Sequence, residues 1–160
     1  MPTILEFPAR RPKPEIALQQ LLSRSNVKDF GLFGFWDANI ILGSNNKWVN
    51  TIARAKIDTG ASISLFPLSL INDLNLGRGI AYELYGVVRT EACKIEVYLH
   101  KVDMRIRDHL EGKIELKSVW SAFTSMEGAP ILLGYKDVLE RLLICQRPQI
   151  EVLTLQLKKT

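Results

Sequence analysis

A mostly β domain with one or two short helices is the fold class that the sequence predicts. Apolar residues alternate with polar ones over several short stretches, the period of a half-buried strand. Turn-forming clusters punctuate those stretches, "GSNN" (43–46) being the clearest. Helical spacing surfaces in two brief places, "EIALQQLLSR" (15–24) and "YKDVLERLLI" (135–144).

With 160 residues the chain fits one domain with an extension. Residues 1–28 form that extension. It is basic and proline-containing, and Ile16, Leu18, Leu21 and Leu22 space a short helix within it. The domain proper spans 29–160. "GLFGFWDANIIL" (31–42) and "KWVNTIARAKI" (47–57) flank the turn cluster and read as a hairpin. In its second arm Val49, Thr51, Ala53, Ala55 and Ile57 share one face. "AYELYGVVRTEACKIEVYL" (81–99) holds two strand patterns around a break at Gly86. Ile95, Val97 and Leu99 share a face, but Val102, Met104 and Ile106 continue on the opposite parity. A bulge or tight turn near His100 is the expected cause. "KIEL" (113–116) is a short strand, "APILLG" (129–134) an apolar run, and Val138, Leu139, Leu142 and Leu143 space a short helix. "QIEVLTLQL" (149–157) closes the chain as a strand.

Apolar residues make up 47% and charged residues 24%, and the formal charge is +4. Basic and acidic residues interleave in "KVDMRIRDHLEGKIELK" (101–117), a solvated surface rather than a phosphate-binding stripe, so no nucleic-acid partner is expected. No apolar run approaches the ~18 residues of a membrane span, and Glu6, Pro8 and Pro14 interrupt any signal-peptide core. The expectation is a cytoplasmic protein without a membrane partner. Cys93 and Cys145 allow one bridge or two free thiols; they lack metal-ligand spacing and are read as buried small apolar residues. His100 and His109 are read as solvent-facing, and Trp36, Trp48 and Trp120 as packing residues. Neither a metal nor a cofactor is implied.

One stretch, "KIDTGASISLFP" (56–67), resists a packing explanation. Asp and Gly are poor strand residues. A carboxylate at a strand end is costly unless hydrogen-bonded. A following Gly lets the backbone turn and offer it N–H groups. Such an acid is half a catalyst: peptide hydrolysis by carboxylates needs one group to activate water and one to protonate the carbonyl. Two close carboxylates share a proton and cover both roles. By chance an Asp-Thr-Gly triplet arises in about one chain in fifty of this length, so its surroundings carry the weight.

Those surroundings resemble a family. "IDTGAS" (57–62), a flap-like "LYGVVRTE" (84–91) and "ILLGYKDVLERL" (131–142) together are similar to the single-domain, retropepsin-like aspartic proteases. The likeness runs over roughly residues 30–157 and is closer to cellular or prokaryotic members than to viral ones. It implies a closed antiparallel acid-protease barrel and a homodimer with one Asp-Thr-Gly per chain. It implies an aspartic endopeptidase that acts on polypeptide. Carried over, Asp58 is the catalytic carboxylate. Thr59 bonds its symmetry mate, and Gly60 and Ser62 contact substrate backbone. Leu132, Leu133 and Gly134 cross and support the Asp58 loop, and Gly86, Val87 and Val88 form the flap tip. Ala61, in place of a hydroxyl residue, implies a working pH nearer neutral. The sequence departs from the viral pattern in two places: Tyr135 and Lys136 precede Asp137 where Arg usually follows the Gly, and the flap has one glycine. Asp137 is read as a helix-dipole partner. "QIEVLTLQL" is the expected strand for interlocking protomers. The alternative reading is a catalytically weak or inactive module of the same fold, kept for dimerisation or peptide binding.

Overall fold

The structure is a computed structural model and describes residues 2–8, 36–85, 94–147 and 152–159. The predicted helix at 15–24, the flap tip at 86–88 and Cys93 lie outside the described residues.

Among the described residues eleven strands follow one another: β1 (Ile4–Pro8), β2 (Asp37–Ser44), β3 (Lys47–Trp48), β4 (Ala53–Ile57), β5 (Ser64–Pro67), β6 (Ile80–Tyr85), β7 (Lys94–Arg107), β8 (Lys113–Thr124), β9 (Leu132–Leu133), β10 (Leu142–Arg147) and β11 (Val152–Leu157). Short 3-10 turns occupy Leu68–Leu74 and Leu139–Arg141. The predicted hairpin is present. Asn45 and Asn46 both adopt positive φ, 50° and 63°, the left-handed pair that a two-residue turn between twisted strands requires. The 49–57 alternation holds as a strand only from Ala53, where Ala53, Ala55 and Ile57 point inward.

Pairing of β2-β4-β9-β5-β8-β7, closed by β7 onto β2, makes a six-stranded barrel. An all-antiparallel barrel is not what forms. β9 runs parallel to β4 and antiparallel to β5, and β5 runs parallel to β8. The reason is topological: β9 inserts between two strands of opposite direction, so it must run parallel to one of them. β5, β9 and the end of β8 bury both faces, which is why "SLFP" and "ILL" read as apolar runs without alternation.

Among the described residues two apolar clusters result. The main core gathers Ile40, Leu42, Phe66, Met104, Phe123 and Leu133 inside the barrel. A smaller one, built on Leu65, Ile95, Val97, Ala122 and Leu132, lies on the other face of the same strands. This explains the parity change in β7. No turn occurs near His100; the strand runs unbroken while its first half buries one face in the small cluster and its second half buries the other in the main core. The bulge falls later, between Val102 and Met104. Its extra residue belongs to β8, where Ser118 takes φ 52°.

The short strand predicted at 113–116 extends to Thr124. Its second half was hidden because Ser121 and Thr124 are polar yet buried. The predicted helix at 135–144 is corrected to a turn, one 3-10 turn and then β10. Val138, Leu139 and Leu142 are buried as a helix would bury them, but Leu143 is exposed. Asp137 sits at φ 59°, a left-handed conformation that stops helix propagation.

β1, β11 and β10 form a second, antiparallel sheet. Leu5, Phe7, Leu153 and Leu155 turn one face of it onto the barrel core. Asp108, buried in the β7–β8 loop, ties β1 down: its carboxylate accepts the N–H groups of Glu6 (3.0 Å), Leu110 (3.0 Å) and Gly112 (2.8 Å). β11 is paired on both sides within its own chain, so the expectation that this strand interlocks between protomers fails for the described fold. Cys145 is exposed rather than buried, and His100 is buried rather than solvent-facing, while His109 is exposed. Trp36 packs against the core. Trp48 lies under the Arg105 guanidinium at 4.1 Å and Trp120 under the Lys101 ammonium at 5.2 Å.

Among the described residues no helix is long and apolar enough to cross a membrane.

Candidate active site

The β4–β5 connection, residues 58–63, is the loop that β9 crosses. Sequence alone explains its start: Ile57 is the last inward residue of β4, and Asp58 and Gly60 leave strand geometry at once. Gly60 N–H donates to Asp58 Oδ1 at 2.9 Å, and Ala61 N–H donates to the Asp58 carbonyl at 3.2 Å. The carboxylate is thus held by its own loop while remaining partly open. Thr59, Gly60 and Ser62 are exposed beside it.

From below, the segment after β9 runs along this loop as a rail. Asp58 N–H donates to the Leu133 carbonyl at 3.0 Å. Gly134 N–H donates to Ser64 Oγ at 2.9 Å. Tyr135 N–H donates to the Ala61 carbonyl at 2.8 Å, and Lys136 N–H to the Ser62 carbonyl at 2.9 Å. The structure therefore brings Leu132, Leu133 and Gly134 against the loop that carries Asp58, Thr59, Gly60, Ala61 and Ser62. Gly134 has a steric role: a Cβ there would lie 2.3 Å from the Ile63 carbonyl carbon and 2.4 Å from its oxygen. Gly86, Val87 and Val88 are not described.

Asp137 anchors the rail. Its carboxylate accepts Trp120 N–H from β8 at 3.0 Å and the Arg141 guanidinium at 2.8 Å. Burial pushes this carboxyl up, but the Trp120 N–H, the Arg141 guanidinium and the nearby Lys136 outweigh it and hold it below the ordinary Asp range. Arg141 in turn donates to the Lys117 carbonyl at 2.8 Å. Asp137 is thus a buried acceptor joining β8 to the rail rather than a helix-dipole partner.

A cleft of about 500 Å³ opens at Asp58, walled by Ala61, Ile63, Leu65, Leu84 and Leu132, with Lys56 at its margin. The small apolar cluster forms the floor, since Leu65 and Leu132 belong to both. β6, the strand that leads into residues 86–93, contributes Leu84 and Tyr85 as one wall. Sequence reading gave no site role to Ser64, Lys56 or Arg141, while Leu84 lay in the flap-like stretch. Ser64 had a legible signal, a hydroxyl at an inward position of an apolar strand that needs a partner. Lys56 is a strand neighbour of Asp58, and Arg141 reaches Asp137 four residues away as well as the distant Lys117 carbonyl. Among the described residues no cluster of His, Cys, Asp and Glu is arranged to hold a metal ion.

No protein-family model matches the chain, and no curated protein and no solved structure matches it.

Proposed function

We propose that this chain is a retropepsin-like aspartic endopeptidase that works as a homodimer, with one Asp58 from each copy. The observation that carries the reading is the Asp58 loop itself. A carboxylate oriented by Gly60 N–H is braced from behind by Leu133–Lys136 and opens into an apolar-walled cleft. A strand crossing between the two arms of the loop is a costly arrangement for a mere turn, because it demands a glycine with no room for a side chain. Its effect is to deny the loop freedom and fix the direction of the acid, as preorganised catalysis requires.

In the proposed mechanism a water lies between the two Asp58 carboxyls, one charged and one protonated. The charged group takes a proton from the water as its oxygen attacks the scissile carbonyl carbon. The protonated group gives its proton to the carbonyl oxygen, leaving a neutral gem-diol. Collapse returns the carbonyl, breaks the C–N bond and delivers a proton to the departing amine nitrogen. The cleft's aliphatic walls suit an extended peptide with apolar side chains near the cut.

Incubation of the purified chain with an unfolded protein, from about pH 4 to about pH 7, tests the reading. Cleavage is expected on the acid side of neutrality, because one carboxyl must be charged and its mate protonated. Asp58→Asn should abolish cleavage and leave the fold intact, since the amide keeps the shape and an acceptor for Gly60 N–H. Cleavage at the wild-type rate in that variant would remove Asp58 from the chemistry.

A further inference from the structure

We infer that the outer face of β7 and β8, with the β2–β3 turn at its margin, is a binding surface for single-stranded nucleic acid. This function is separate from any chemistry at Asp58.

Strand parity builds the face. Along β7, Val102, Met104 and Ile106 point into the main core, so Lys101, Asp103, Arg105 and Arg107 point outward. In the first half of β8, Ile114 and Leu116 point inward and Lys113, Glu115 and Lys117 outward. Charges that interleave with apolar residues in the sequence are thereby gathered on one side of the barrel. Pairing sets them in rows, with Arg107 beside Lys113, Arg105 beside Glu115 and Lys101 beside Trp120. Trp48 reaches the same face, with the Lys117 ammonium 5.2 Å from its ring.

The balance of charge favours an anion. Both acids are already engaged by cations. Glu115 accepts the Arg105 guanidinium at 2.8 Å, with the Lys113 ammonium at 3.8 Å. Asp103 accepts the Lys117 ammonium and the Ser118 N–H, each at 3.1 Å. Among the described residues no acid pairs with Lys101 or Arg107, and β2 sets uncharged Asn39 and Ile41 opposite Arg107 and Arg105. A cleft of about 480 Å³ opens in this face, a size that suits a small ligand unit. Lys101 and Lys117 give it positive charge, and Asn45, Asn46, Ser44 and Ser118 line it with amides and hydroxyls that donate hydrogen bonds. The tryptophans decide for nucleic acid over an acidic peptide, which has carboxylates but no flat rings. Nucleobases stack on aromatic rings while Lys and Arg neutralise the phosphates. The Lys101 ammonium lies 5.2 Å from the Trp120 ring. A base that replaces it there breaks no ion pair and frees the ammonium for a phosphate. Only an unpaired strand presents its bases in this way.

The test is fluorescence anisotropy of a labelled oligothymidylate of about 20 nucleotides, titrated with the full chain. Binding is expected in about 50 mM salt, weakening as salt rises with a log–log slope of about −2 or steeper. Lys101→Glu with Arg107→Glu should leave circular dichroism unchanged, weaken binding about tenfold or more and make the slope shallower by about one. If charge reversal disturbs the fold, Lys101→Gln with Arg107→Gln should give the same change in slope with a smaller loss of affinity. Trp120→Leu should weaken binding about fivefold and reduce the quenching of tryptophan fluorescence by the oligonucleotide. Asp58→Asn should bind as the wild type does, whether or not the chain cleaves peptides. No binding in low salt overturns the proposal, as does binding that the Lys101 and Arg107 variants leave unchanged. Polyglutamate that competes as well as the oligonucleotide, or duplex DNA that binds as tightly, overturns it too.

Discussion

Gly134 illustrates how one residue can be demanded by space rather than by backbone conformation. Gly128 takes φ 76° with nothing near its missing side chain, so its need is conformational. Gly134 instead abuts the Ile63 carbonyl, and the atoms in the way are backbone, which cannot swing aside as a flexible side chain would. Overpacking of this kind costs about 1–3 kcal/mol or more. Gly134→Ala should therefore lower stability by at least about 2 kcal/mol in urea unfolding. On the protease reading it should also lose cleavage out of proportion to the fraction unfolded, because the alanine pushes on the Asp58 loop. A variant as stable and as active as wild type would show that the rail is looser than its hydrogen bonds suggest. Ser64 is the companion case: a hydroxyl buried in an apolar strand, with the Gly134 N–H as its donor.

Between β9 and β10 the chain turns sharply while staying bound to three neighbours: the Asp58 loop, β8 and its own 3-10 turn. The Asp137 carboxylate is the clasp, with its N–H and guanidinium donors at 3.0 and 2.8 Å. Its native pKa lies below the unfolded value of about 3.9. The stability it contributes is therefore present above about pH 4 and is lost as pH falls through the lower native value. Asp137→Asn removes that charge. We expect it to cost about 1–3 kcal/mol at neutral pH and to flatten the acid limb of the stability curve below about pH 4. Denaturation midpoints of the two proteins at neutral and strongly acid pH give the comparison; parallel curves would place the clasp elsewhere.

For the molecule as a whole, acid has a second point of entry. His100, on β7, is buried, its ring 5.7 Å from Phe123 and so close to Gly79 that a Cβ there would lie 2.5 Å from Nε2. Burial lowers its proton affinity below the ordinary histidine value. The unfolded chain then binds a proton that the native chain resists, and stability present above about pH 6.5 declines as pH falls toward the native value. The ring packs between Phe123 of β8 and Gly79, which immediately precedes β6, the strand that leads into residues 86–93. The thermal midpoint should fall between about pH 7 and about pH 5, and His100→Gln should reduce that fall. Hydrogen exchange should show β6 opening first in the wild type. A wild-type midpoint that is constant over this range would mean that the ring accepts its proton without cost.

Local chemistry made some features legible in the sequence. The Asn45–Asn46 turn, the inward face of β4, the departure from strand geometry at Asp58 and the presence of β11 each depend on neighbours along the chain. Their residue types therefore carried the message. The insertion of β9 between β4 and β5 joins residues that are remote in sequence, and it alone puts Leu133 and Gly134 beneath Asp58. The two faces of β7 looked like a break because periodicity cannot tell a slipped strand from one that changes the core it covers. The spacing of Val138, Leu139 and Leu142 fits a helix and equally a 3-10 turn feeding a strand; the left-handed Asp137 and its partners on β8 decided between them. Cys145 and His100 exchanged places with expectation for the same reason: burial is set by what packs across a strand, and that is a property of the tertiary structure, not of a residue's own chemistry.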